Sequence, residues 1–341
     1  MKFSNFLGAL INPKKFTIAI LWRAKNIILK IKNREKKISL GLENSKLKFY
    51  IIGFNCDWNG LAWIIIHIIE HIGYSENKKY IPIIDLRNFH NQYSCIGEEN
   101  IWGRWFEQPT EYDLYSIAKS KNIIKSRNMV CPNDKYLINF LDYKNETRLK
   151  NARDIYNKHI KINTVTQKKI SQIQQEIIGN KKVLGIMCRG TDYSALKPPQ
   201  HPIQPNPQNI IDEAEIIMKK YNCTHIFLST EDRNVYNLFH EKFGTSLLSV
   251  NQERITQSDI CAKKSLSDLS DIESRRNTAF SYLTSMYILS KCPCFIGGIT
   301  GGSLLVKIMS NGFEYEHLHD CGTYPDNVKL KDAWKNLCDE L

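Results

Sequence analysis

From residue 183 to residue 309 short apolar runs and amphipathic stretches take turns, and that alternation leaves few folds open. Apolar runs at 183–188, 225–229, 246–250 and 294–296 read as strands, with helical periodicity at 206–221, 233–243, 278–290 and 303–309. Strands separated by helices must cross over. They therefore lie parallel in a sheet covered on both faces, and ligands bind beyond the carboxyl ends of such strands. A shorter βαβ unit comes earlier: strand 48–53, helix 61–73 and strand 80–86. Between the two units stand an aromatic-rich stretch at 99–126, with Glu107 and Gln108 beside Pro109, and charged helix-periodic residues at 145–178 that stop at Gly179 and Asn180. The expected class is α/β, with a basic amphipathic segment at 1–45, a first domain at 46–178, a second at 179–325 and a C-terminal helix at 326–341.

The 341 residues exceed the usual span of one core, so two domains with a core each are expected. No run reaches the roughly 18 to 20 apolar residues that cross a bilayer. Ten cysteines are scattered without paired CxxC spacing, and a chain this long folds without disulfide staples; they read as reduced, mostly buried thiols of a cytosolic protein, with structural zinc the alternative. The net charge of +12 is concentrated at the front, where residues 12–37 set many Lys and Arg among Phe16, Trp22, Ile27, Leu29 and other apolar side chains. A basic helix with such a face lies in an anionic membrane surface; a helix packed on the domain, or a nucleic-acid patch, has the same composition. The segment does not resemble a secretory signal, since Pro13, Lys14 and Lys15 interrupt it and no cleavage site follows. A nucleic-acid partner is not expected, because the basic residues precede the folded part and no aromatic-basic interleaving marks its sheet.

Three strand ends carry polar clusters that the topology turns toward one crevice. The run at 183–188 delivers Arg189, Gly190, Thr191 and Asp192; the run at 225–229 delivers Thr230, Glu231 and Asp232; the run at 294–296 leads through GGITGGS into a helix, bringing Thr300, Gly301, Gly302 and Ser303. Glycines let backbone amides approach an anion at a helix N-terminus, a hydroxyl adds a donor, and a guanidinium grips phosphate with two parallel bonds. Together they suit a diphosphate. Neither a P-loop nor a dinucleotide glycine fingerprint is present. His67 and His71, four apart on one helix, read as a satisfied surface pair, and His317 and His319 as surface residues without acidic or cysteine partners, so no metal site is expected.

CRGTDY with the later HPI, IFLSTED and YILSKCPCFIGGITGGSLL resemble, in order, the three motifs of the α1,6-fucosyltransferase superfamily, which includes the protein O-fucosyltransferases. GFNCDWNGL, YIPIIDLRNFHNQY and WFEQP resemble the front half of bacterial capsule and lipopolysaccharide glycosyltransferases of that superfamily. The resemblance covers about residues 49–324. It implies a GT-B fold, two Rossmann-like domains facing a cleft, with an acceptor domain first and a nucleotide-sugar domain second. It implies an inverting, metal-independent transfer needing no cofactor, from a GDP-linked, fucose-like donor to an oligosaccharide or lipid-linked glycan acceptor; the basic front segment would place the protein at the inner face of the cytoplasmic membrane. Arg189 stands where the family grips the donor pyrophosphate, Glu231 and Asp232 where a carboxylate pair meets the ribose and phosphates, and residues 300–303 in the phosphate-contacting loop. Met187 replaces the histidine that touches guanine, Pro293 and Cys294 stand in place of the aspartate on the base, and Lys197 replaces a glutamate proposed as catalytic base.

Displacing a nucleoside diphosphate builds charge on the leaving phosphates and requires a proton acceptor for the attacking hydroxyl. Arg189 and the glycine loop meet the first need. For the second, a carboxylate of the first domain is expected: Glu107 and Asp57 ahead of Asp192, whose plainer role is to tie its own loop, with Asp85 also at a strand end. His201 before Pro202 shapes its loop. The rival reading is a catalytically inactive nucleotide- or carbohydrate-binding partner of a transferase.

Overall fold

The first sheet is built from strands of three or four residues: β1 (Lys36–Ile38), β2 (Phe49–Ile52), β3 (Ile81–Ile84) and β4 (Ile123–Lys125), in the order β1-β4-β2-β3. β2 pairs parallel with β3 and β4, and β1 closes one edge antiparallel to β4. This computed structural model describes residues 35–56, 60–93, 99–126, 128–190, 194, 196–256, 258–259 and 272–325. Asp57, Thr191, Asp192, residues 1–34 and the expected C-terminal helix lie outside the described residues. Residues 36–38, assigned above to the basic segment, are a sheet edge, so the first sheet begins ahead of residue 46.

Helix α1 (Leu61–Asn77) follows β2, and Ile64, Ile65, Ile66, Ile68, Ile69 and Ile72 leave it almost no polar side. A helix apolar all round must be covered all round. It does not stop at Gly73, because that glycine serves a close approach: a Cβ there would lie 2.5 Å from Tyr136 and 2.7 Å from Ile155. The short helix α2 (Trp102–Trp105), then α3 (Glu146–His159) and α4 (Thr164–Ile177), complete the first half; Asn145 and Asn163 cap the last two through their side-chain oxygens.

The second half carries β5 (Val183–Met187), α5 (Pro207–Tyr221), β6 (His225–Ser229), α6 (Arg233–Phe243), β7 (Leu247–Leu248), α7 (Ile272–Leu289), β8 (Cys294–Gly298), α8 (Gly301–Met309) and β9 (Tyr315–His319). All five strands pair parallel, in the order β7-β6-β5-β8-β9. The order reverses between β5 and β8, and open α/β sheets bind ligands in the crevice beyond the carboxyl ends of the strands that flank such a switch point. Turn chemistry agrees with the elements: Asn206 caps α5 ahead of Pro207, and Asn222 ends it at φ 55°.

The chain is thus α/β with two largely parallel sheets. One buried cluster runs from Tyr50 and Ile52 of β2 through α1 to Phe295 of β8 and Leu304 and Leu305 of α8, so the halves share a continuous core where separate ones were expected. A second cluster lies between β5, β6 and the helices α5 and α6, and a third covers the outer face of the first sheet. No helix among the described residues is long and apolar enough to cross a membrane.

Candidate active-site crevice at the switch point of the second sheet

The crevice is floored by the last residues of β5 and β8, where Met187 and Gly297 are neighbours in register. Directly after β5, Gly190 donates its N–H to Glu231 Oε1 at 3.2 Å, and the Arg189 Nε stands 3.7 Å from the same oxygen. Glu231 thereby sets both the turn and the guanidinium of the residue beside it. Gly190 is required by packing: a Cβ there would lie 2.3 Å from Asp232 Oδ2. The other oxygen of Asp232 accepts from the N–H groups of Asn234 at 2.7 Å and Val235 at 3.1 Å, capping α6. Asp232 is therefore a structural link between the turn after β5 and a helix. Thr230 is equally internal, its hydroxyl accepting from the Asp232 N–H at 3.2 Å and its carbonyl from Gln252 at 2.7 Å.

Across the switch point, Thr300 and Ser303 form a reciprocal capping box on α8. The Ser303 N–H donates to Thr300 Oγ1 at 3.0 Å, and the Thr300 N–H to Ser303 Oγ at 2.8 Å. The Thr300 hydroxyl further contacts Met187 Sδ at 3.2 Å, and that of Ser303 donates to the Thr300 carbonyl at 3.0 Å. With exposures of 2% and 0%, these hydroxyls serve the helix, and what the loop offers an anion is backbone N–H at the positive end of α8. Gly301 and Gly302 begin that helix. A Cβ on Gly301 would sit 2.6 Å from Trp63 Nε1, and one on Gly302 2.3 Å from the Tyr282 hydroxyl. The glycines are therefore demanded by an indole from α1 and a phenol from α7.

Tyr282 joins the two sides of the crevice electrostatically. Burial pushes its phenol up to about 12, with Glu231 raising it further and Arg189 opposing. Tyr93 is likewise pushed up by burial, with Arg189 again opposing. Both remain protonated donors beside the guanidinium. Arg276 of α7 holds the Tyr93 carbonyl at 2.8 Å, and Arg275 that of Gln92 at 2.8 Å, so the second half positions this loop of the first.

The first-half carboxylates sit differently from one another. Glu107 is exposed; its N–H bonds the Lys161 carbonyl at 2.8 Å and its carbonyl accepts from Trp102 Nε1 at 2.8 Å, and none of these contacts reaches Arg189. Asp85, at the end of β3, is forked by Arg87 through bonds of 3.0 and 3.2 Å. The His67–His71 pair is satisfied, as expected, but not at the surface. His71 is wholly buried, its Nδ1 meeting the Tyr50 hydroxyl at 2.9 Å and its Nε2 the Asn128 carbonyl at 3.0 Å. His67 Nδ1 meets the buried Glu70 carboxylate at 2.9 Å, and its ring stacks on Trp63 with centroids 5.7 Å apart. Trp63 in turn meets Phe140 edge-on at 5.1 Å, and Phe140 packs on His201 at 5.4 Å. This aromatic wall escapes sequence reasoning. The signal for it is the pair of glycines at 301 and 302, whose missing side chains leave room for large neighbours.

No protein-family model and no curated protein matches the chain. Among solved structures it is similar to NodZ alpha-1,6-fucosyltransferase soaked with GDP-fucose, at 14% identity and a TM-score of 0.47, over 77% of this chain and 93% of that one. It is also similar to POFUT1 in complex with GDP-fucose (8% identity, TM-score 0.44, 81% and 99% covered) and to a mutant Arabidopsis thaliana FUT1 in complex with GDP (9%, 0.45, 84% and 74%). At these identities and TM-scores the likeness carries no argument about activity, and the α/β class rests on the strand order itself.

In chemical terms a part-exposed guanidinium and a helix N-terminus follow the two strands of the switch point, with two protonated phenols electrostatically coupled to the guanidinium. A guanidinium and a helix N-terminus both favour negative charge.

Proposed function

We propose that the chain is an inverting glycosyltransferase of GT-B type. It moves a sugar, fucose-like, from a nucleoside-diphosphate donor, GDP-linked by the motif resemblance, to a hydroxyl of a surface-polysaccharide or lipid-linked glycan. What supports this reading is that Arg189 follows β5 and α8 follows β8, the two strands that flank the switch point, so a diphosphate bound there would meet both. Charge that builds on the leaving phosphates meets a planar fork of donors on one side and a helix dipole on the other. The basic front segment would hold the enzyme against an anionic membrane surface, and its composition supports that role.

Turnover of GDP-fucose, read as GDP release by wild type and Arg189→Lys, tests the reading. Lys keeps the charge and loses the planar fork, so activity should fall roughly 100-fold or more with little change in melting temperature. Wild-type-like turnover in Arg189→Lys would contradict the assignment, and no turnover by the wild type with any nucleotide sugar would favour the binding-partner reading. Arg189 is a cleaner probe than the glycines, because a branched side chain at Gly301 or Gly302 strikes Trp63 or Tyr282 whether or not phosphate binds.

A further inference from the structure

His317 and His319 alternate on β9, so both imidazoles stand on one face of the last strand of the second sheet. The acidic partner that the local sequence lacks comes from α5, 104 positions earlier. Glu213 Oε1 and Oε2 lie 2.8 and 3.0 Å from His317 Nδ1, and Oε2 lies 2.8 Å from His319 Nε2. The ligand atoms of all three residues fall within 4.8 Å of one another, and the two imidazole centroids are 4.4 Å apart.

We propose that Glu213, His317 and His319 form a binding site for a divalent transition-metal ion with the ligand preference of zinc, one that clamps α5 to the edge strand β9. Two imidazoles and one carboxylate are the donors such ions select over calcium and magnesium, which take oxygen. The geometry of His319 separates a metal site from a pair of ordinary ion pairs. Its Nε2 is buried and only 2.8 Å from Oε2, yet the two are not aligned as a hydrogen bond, so the approach is short without being directional. His317 Nδ1, in contrast, is aligned as a hydrogen bond on both carboxylate oxygens, a contact that an entering ion would replace. In a tetrahedral shell with bonds of about 2.0 to 2.1 Å the donors stand about 3.3 Å apart, so the 2.8 Å approaches of both imidazoles to the carboxylate would open by about half an ångström to admit the ion.

The carboxylate is also held from behind: the Tyr315 hydroxyl donates to Oε1 at 2.9 Å, the kind of outer partner that orients a metal-ligating oxygen. His317, 45% exposed, gives the ion a path from solvent and leaves a fourth position open to water. The clamp would have reach beyond the edge strand. Asp320, next after β9, accepts from the Tyr143 hydroxyl of the first half at 2.8 Å, and Thr323 bridges Pro202 in the His201 loop. The site lies on the edge strand and stands apart from the proposed transfer chemistry, which does not depend on it.

Titration of the metal-stripped full chain with Co2+, followed by visible d–d absorption, and with Zn2+, followed by melting temperature, tests the site. Wild type should give a one-equivalent cobalt spectrum without strong thiolate bands, and zinc should raise its melting temperature. His317→Ala, His319→Ala and Glu213→Gln should each lose both responses. His317 is the decisive position, since its exposure lets the variant fold. One-equivalent binding that survives His317→Ala and Glu213→Gln, a spectrum dominated by thiolate, or no binding of either ion at micromolar concentration would overturn the proposal.

Discussion

His71 shows how a single side chain can be fixed by everything around it. Burial pulls its imidazole down to about 4, and the Asn128 and Met129 carbonyls that accept from Nε2 only partly oppose this. The folded chain therefore holds the neutral ring while the unfolded chain takes a proton near 6.5. Stability from this group is complete above about pH 6.5, falls as pH drops from there to about 4, and falls no further below. The loss is on the order of 3 kcal/mol. Urea unfolding at pH 7, 5 and 4 should show the decline in wild type and a flatter profile in His71→Gln; equal profiles in the two would contradict the assignment. Residues at the crevice follow the same logic in reverse. Arg189 is useful there because it is only part-buried, 32% exposed, and Glu231 aims it without enclosing it.

At the scale of elements, α8 is where stability and the site meet. Its capping box uses up the Thr300 and Ser303 hydroxyls, so Thr300→Ala should cost about 1 kcal/mol and lower the melting temperature by about 1 to 2 °C. Donor binding should weaken alongside, because the N-terminal amides lose their fixed direction. Calorimetry of the variant with and without nucleotide checks both; an unchanged melting temperature would mean the cap carries no load. Helix α8 was partly legible in the sequence, since Gly301 to Ser303 read as a phosphate loop, but the loop is the first turn of the helix itself. The alternation of apolar runs and amphipathic stretches revealed the parallel second sheet, because crossover topology follows from that pattern. The three-residue β1 offers too little periodicity to place, whereas β7 falls inside the run at 246–250 that reads as a strand, though only two of its residues pair. Gly73 reads as a stop, yet it marks contact with Tyr136 and Ile155, which no local pattern encodes. The Glu213 partner of His317 lies too far along the chain for spacing to reveal, and Trp63 reads as one more apolar residue of α1 until Gly301 is set against it.

Across the whole molecule, one apolar helix joins two sheets and brings the walls of the crevice together. The loop at residues 92–93 and the indole of Trp63 come from the first half; Arg189, Tyr282 and α8 come from the second. The front of the chain calls for a test at this scale. Because residues 36–38 pair with β4, the truncation that probes membrane attachment removes residues 1–34 and leaves the sheet edge whole. Cosedimentation with anionic vesicles should be lost on that truncation while donor binding persists; unchanged vesicle binding would place the attachment elsewhere. The proposed function requires that a diphosphate be held between Arg189 and the start of α8. Its most direct test is the melting temperature of wild type and Arg189→Lys with guanosine, GMP and GDP at equal concentration. Wild type should be stabilised most by GDP, by about 3 kcal/mol at a hundredfold excess over the dissociation constant, less by GMP and scarcely by guanosine, and Arg189→Lys should lose the GDP increment. Equal stabilisation by all three, or a GDP increment that survives in Arg189→Lys, would contradict it.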